Sequence, residues 1–171
     1  MNNTMSPTSS PCYCGGDSYA LCCQPIHSGS RYADNPEQLM RARYSACCRQ
    51  DIDFLLATTH LSTQALYHAN ELQQWLDDIE WLSLRIISSS MSSAKLGHVD
   101  FVAFYHSNNP TTDNTPPVIR QHREYSRFQL EDTEQSSQWY FVSGEDRPDT
   151  PLERNQPCPC RSGKKYKKCC L

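Results

Sequence analysis

The chain has 171 residues, a hydrophobic fraction of 37% and a formal net charge of -3. That is enough for one domain with a core but too few apolar residues for a protein that is all core, so part of the chain is expected outside it. No segment is long and apolar enough to span a bilayer, and Met1 to Ser10 has neither the basic start nor the apolar run of a secretory leader, so membrane insertion is not expected and a cytoplasmic location is. Ten cysteines then need an account. Disulfides and metal are the candidates, and a reducing compartment favours metal.

In chain order, the first feature is Pro11-Cys-Tyr-Cys-Gly-Gly-Asp-Ser-Tyr-Ala-Leu-Cys-Cys, which brings Cys12, Cys14, Cys22 and Cys23 close together. A helix follows, with Asn35 as N-cap, Pro36 at its first position, Gln38 as capping-box partner and Leu39, Met40, Tyr44 and Cys47 as its apolar stripe. Asp51 can cap a second helix through Ile52, Phe54, Leu55 and Leu56. The pattern from Ala65 to Asp78 predicts a third, with Leu66, Leu72, Trp75 and Leu76 inward. The period then changes from helical to alternating. Leu82, Leu84 and Ile86 mark one strand, and Val99, Phe101, Ala103 and Tyr105 a second. Val118 to Leu130 and Gln138 to Val142 give two more. Asn108 to Pro117 reads as a mobile loop and Glu145 to Gln156 as a linker. Three helices followed by four strands predict an α+β layer structure. The expected units are 1–30, 31–146 and 147–171.

The chain ends on Pro157-Cys-Pro-Cys-Arg-Ser-Gly-Lys-Lys-Tyr-Lys-Lys-Cys-Cys, a repeat of the first motif with one inserted residue. Zinc takes four sulfurs in a tetrahedron with bonds of about 2.3 Å. Cys158 and Cys160 supply one ligand pair, and the loop through Gly163 is long enough to return Cys169 and Cys170 to the same ion. Adjacent cysteines bridge each other poorly, although a crossed disulfide pair remains the alternative. For the first motif, the alternative is reduced cysteines packed on the core. Each zinc on four thiolates adds a charge of about -2. Arg161, Lys164, Lys165, Lys167 and Lys168 locally offset that charge at the second site; from Pro11 to Ser30 there is no lysine or arginine.

The second motif resembles the SEC-C motif at the C-terminus of the SecA translocase ATPase. The resemblance implies zinc, with iron as a substitute, and docking on a protein or ribosomal partner, since the SecA motif contacts the chaperone SecB and the ribosome. Here Arg161 stands where the motif usually has glycine, a change to the loop and not to a ligand. The first motif resembles a variant of the same site. Over almost its whole length the chain resembles the YchJ family of bacterial proteins, as Asn35-Pro-Glu-Gln-Leu-Met-Arg-Ala-Arg-Tyr-Ser-Ala and Gln138-Trp-Tyr-Phe-Val-Ser-Gly illustrate. That resemblance implies a cystatin-like or nuclear transport factor 2-like cone, about three helices on a curved four-stranded antiparallel sheet, between the two zinc motifs. It implies no activity.

Such a cone usually encloses a pocket, and Tyr44, Trp75, Tyr105, His122, Glu124 and Trp139 are candidates to line it. His122 and Glu124 are two apart on a strand, where a carboxylate can orient an imidazole. The simpler reading is a paired polar stripe on a solvated sheet face, or buried hydrogen bonding, with Arg120, Arg123 and Arg127 adding cross-strand pairs. Cys47 and Cys48 read as buried free thiols, His60, His68, His98 and His106 have no ligand spacing, and no glycine-rich phosphate loop is present. The sequence assigns no catalytic residue. The leading expectation is therefore a zinc-binding adaptor that docks through the basic C-terminal loop onto a protein or ribosomal surface. A small-molecule pocket or enzyme site in the cone is the alternative. Nucleic-acid binding is the third possibility and the weakest, because the basic patch is confined to one loop.

Overall fold

The computed structural model describes residues 10–108, 118–132 and 136–171. Of the expected mobile loop, 109–117 lies outside them. After a short helix α1 (Gln24–His27) come α2 (Pro36–Arg49), α3 (Ile52–Ala57), α4 (Leu61–Gln64) and α5 (Ala69–Asp77). Four strands follow: β1 (Ile79–Ser93), β2 (Leu96–Ser107), β3 (Arg120–Asp132) and β4 (Ser137–Asp146). The sheet is antiparallel throughout, in the order β1-β2-β3-β4. No helix among the described residues is long and apolar enough to cross a membrane.

The α2 start is built as its sequence predicts. Asn35 accepts from the Gln38 amide at 2.9 Å, Pro36 occupies the first turn, and the Gln38 side chain accepts from the Asp34 amide. Such a cap stabilises by about 1 kcal/mol. The helix ends on Gln50 in the left-handed region, φ 56°, and Asp51 caps α3 through the Phe54 amide. The third helix departs from expectation. It starts at Ala69, and Leu66 is exposed in the turn after the separate short α4. Periodicity alone starts it four residues early, at Ala65, because Leu66 and Leu72 are both apolar.

β2 is the central feature of the packing, because both of its faces are buried. Val99, Phe101 and Ala103 point to the helices and join Leu39, Met40, Tyr44, Leu55 and Leu76 in the main core. Val102 and Phe104 point the other way, into a smaller core with Ile119 and Cys158. Each fully buried side chain of this size contributes about 1.5–3 kcal/mol. Register shifts at Trp81/Ser83, Ile86/Ser88 and Met91/Ser93 put bulges into β1, which bend a strand. The concave side holds the helices. The convex side holds the last 25 or so residues, so the segment read as a linker is in fact held against the sheet. Gln121 of β3 donates to the Thr150 carbonyl at 2.7 Å and accepts from the Thr150 amide, and the Arg147 amide donates to the Arg123 carbonyl.

Candidate functional site

The first tetracysteine loop is fastened to α2. Cys12 and Cys14 are each 1% exposed and lie in the main core with Cys23. Arg41 donates to the Cys14 carbonyl at 3.1 Å, the Cys12 sulfur is 3.9 Å from Ser45 Oγ, and Arg49 lies over the Tyr19 ring. His27 donates from Nε2 to the Ala42 carbonyl at 2.9 Å and takes the Tyr19 hydroxyl on Nδ1. Burial lowers the His27 pKa, and its neutral form suits this pairing.

The sulfurs are spaced for one ion. Cys14 Sγ is 3.4 Å from both Cys12 and Cys22, and Cys22 to Cys23 is 3.8 Å. In the second loop Cys160 is 3.3 Å from Cys158 and 3.4 Å from Cys169, and Cys169 to Cys170 is 3.7 Å. Within each set all four lie within 4.8 Å of one another. A tetrahedron with bonds of about 2.3 Å has edges of about 3.8 Å, so both sets fit a tetrathiolate-held ion with little adjustment. All ten cysteines are free, which removes the crossed disulfide.

Thiol chemistry agrees in the two loops. A hydrogen bond from Cys23 outweighs burial and holds the Cys14 thiol down to about 5. Ser162 does the same for Cys160, which falls to about 6. Burial pushes Cys22 up to about 12, and Cys158 and Cys170 also rise through burial. The hydrogen bond to Cys14, then burial, raises Cys23. In each cluster one thiol is thus held down while neighbouring thiols are pushed up, the situation a divalent cation reverses.

The loops also share a backbone plan. Gly15 and Arg161 each donate from their amide to the first cysteine's carbonyl, at 3.0 and 3.1 Å, and both have positive φ, 100° and 61°. The left-handed backbone explains why glycine is usual there. The Arg161 guanidinium donates to the Tyr13 carbonyl, so the two loops touch. Cys158, at 4% exposed, is buried against the convex face, whereas Lys164, Lys165, Lys167 and Lys168 are all exposed and make no ion pair among the described residues.

A third feature is a cavity of about 150 Å³ between α2, α5 and the concave face. Of the six expected lining residues, Tyr44, Trp75, His122 and Glu124 are there. Tyr105 and Trp139 are not. Trp81 takes the place expected for Tyr105, which packs behind it with ring centroids 5.8 Å apart. Trp139 pairs with Leu130 farther along the sheet and lines a separate depression with Ile26 and Leu39. Strand alternation gives a side chain's face but not its distance along the cone.

The pair His122 and Glu124 faces the helices, since its register partners are Ala103 and Phe101, so it is not on a solvated face. His122 Nε2 is 3.4 Å from Glu124, which also accepts from Ser126. The hydrogen bond that His122 donates to Glu124 raises the His122 pKa; burial opposes the ionised Glu124, but His122, Ser126 and Arg43 outweigh it and lower its pKa. Gly144 makes room, because a Cβ there would lie on the Glu124 carboxylate. Asp146, the register partner of Glu124, completes a group of three possible ligands at the cavity's edge. Arg123 is on the opposite face, paired with Asp100 at 2.9 Å. Cys47 borders the cavity as a thiol that burial pushes up to about 12, which is no nucleophile. Sequence reasoning missed Arg43, a charged residue three after Met40 and four before Cys47, and thus on the apolar stripe; that position was the available signal.

Two family models match parts of the chain. Residues 35–144 match a family model described as the YchJ middle NTF2-like domain, and 154–171 match the SEC-C motif. A SEC-C motif-containing protein from Psychrobacter arcticus has a similar structure, with a TM-score of 0.68 and 27% identity over 96% of each chain. Another, from Rhodopseudomonas palustris, gives a TM-score of 0.68 and 30% identity, over 81% of this chain and all of that one.

Proposed function

The chain belongs to the YchJ family, whose middle-domain model spans 35–144, and on that premise we propose that it is a zinc-stapled adaptor that docks through its basic C-terminal loop. Cys12, Cys14, Cys22 and Cys23 hold one ion, and Cys158, Cys160, Cys169 and Cys170 the other. Zinc suits four thiolates in a tetrahedron, and iron is the substitute such a site accepts. The observation that carries the docking reading is the division within the second loop: Cys158 is sealed against the sheet while four lysines stand outward without acidic partners among the described residues. Such a patch suits a negatively charged protein or ribosomal surface.

The test is capture of partners by the full chain and by the same chain with Lys164, Lys165, Lys167 and Lys168 changed to glutamine, both checked for two metal ions. Loss of the partner set in the variant is expected; an unchanged set overturns the docking reading. Truncation would be a poorer test, because removing the tail bares Val102 and Phe104. If the captured partner is a nucleic acid, affinity will fall with salt along a slope set by the few phosphates contacted.

A second reading, a small-molecule site in the cone, is favoured by the cavity that His122 and Glu124 line together.

A further inference from the structure

The cavity under α2 is lined by Arg43, whose guanidinium has an edge that the protein itself does not use. Its Nη1 donates to the Leu55 carbonyl and Thr58 Oγ1, both at 2.7 Å, and to Thr59 Oγ1 at 3.4 Å, all uncharged acceptors. Among the described residues, Nε and Nη2 donate to no protein group and no carboxylate lies within ion-pair distance of Arg43. The nearby acid is already committed, since Glu124 is held by His122 and Ser126 over Gly144. The guanidinium instead lies over the Phe141 ring, 4.5 Å from its centroid. A guanidinium with one free edge matches the two oxygens of a carboxylate.

The walls fix the rest of the ligand. Tyr44, Trp75, Trp81 and Phe101 present flat apolar faces. The space of about 150 Å³ is about what admits a single benzene ring in a protein interior.

We propose that this cavity binds a small planar carboxylate, one ring bearing a carboxylate group, with the oxygens taken by the free edge of Arg43 and the ring against Trp75 and Trp81. The inference rests on the reading of the cone as a small-molecule site and adds the ligand's charge and size. A cationic ligand would leave the free edge of Arg43 without an acceptor, and the volume limits the ligand to about one ring.

The test uses the full chain carrying both metal ions, with benzoate, benzyl alcohol and benzylamine as probes, followed by calorimetry and tryptophan fluorescence. Benzoate is expected to bind about tenfold or more tightly than either of the others, the increment of a charge-assisted hydrogen bond. Arg43→Gln should remove that preference. Because Arg43 also ties α2 to α3, Arg43→Lys is the second variant: it keeps the charge, deletes the two-donor edge and should weaken benzoate severalfold with little effect on benzyl alcohol. Ala103→Leu, which fills the cavity floor, should abolish all binding. If benzyl alcohol or benzylamine binds as tightly as benzoate and Ala103→Leu removes it, the carboxylate proposal is overturned while the small-molecule reading stands. If no probe binds, or binding survives Ala103→Leu, both fall.

Discussion

The two tetracysteine loops share a backbone plan and differ in their surroundings. In the first, Cys12, Cys14 and Cys23 belong to the main core, and Arg41, His27, Ser45 and Arg49 fasten the loop to α2. In the second, only Cys158 is sealed, against Val102 and Phe104 on the far side of the sheet, and Cys169 is exposed. With both ions in place as proposed, one ligand set therefore serves two tasks. A metal inside a core supports everything packed on it, whereas a metal at the surface shapes a loop.

That contrast is sharpest in the response to ligand loss. Cys14→Ser should remove one ion and destabilise the whole domain by about 3–5 kcal/mol, because it leaves uncompensated thiols in the core. Cys160→Ser should also remove one ion but lower the melting temperature by only a few degrees. Metal content and thermal unfolding on both variants check this, and equal losses would abolish the distinction. A smaller effect is expected from acid. Burial lowers the His27 pKa, so the folded protein resists protonating it; stability from this group is complete above its ordinary value of about 6.5 and is lost as pH falls below that. His27→Gln should flatten the pH dependence of unfolding between about pH 5 and 7, and a wild-type slope of opposite sign would count against the neutral His27 bridge. The smallest effect concerns the contact between the loops. Arg161→Gly relieves a left-handed backbone costing about 1 kcal/mol but severs the bond to Tyr13, so global stability should change little. Hydrogen exchange in 157–170 should nevertheless quicken, and unaltered exchange would make the contact incidental.

Much of the fold was legible because its signals are local. The α2 cap needs only Asn35, Pro36 and Gln38, and the alternation of Val99, Phe101 and Ala103 needs only a strand. The four-cysteine spacing needs only the reach of a short loop. The third helix was drawn too long because a turn at Leu66 carries no glycine or proline to mark it. The cavity was half legible. His122 and Glu124 share a face by strand period, but whether that face meets solvent or helices depends on how the sheet is covered. Arg43 lay on the apolar stripe of α2, where a charge signals an interior role that the sequence could not specify.

By itself, the sequence determined which residues come together over short distances: two sets of four thiols, one capped helix after another, and a sheet of neighbouring strands. Each follows from spacing and backbone geometry. Only the tertiary structure decided what those sets face. Packing on α2 puts the first cysteine loop in the main core, whereas the tail's return across the convex face, a long-range contact without local signature, buries the second side of β2 under Cys158 and leaves the lysines of that loop in solvent.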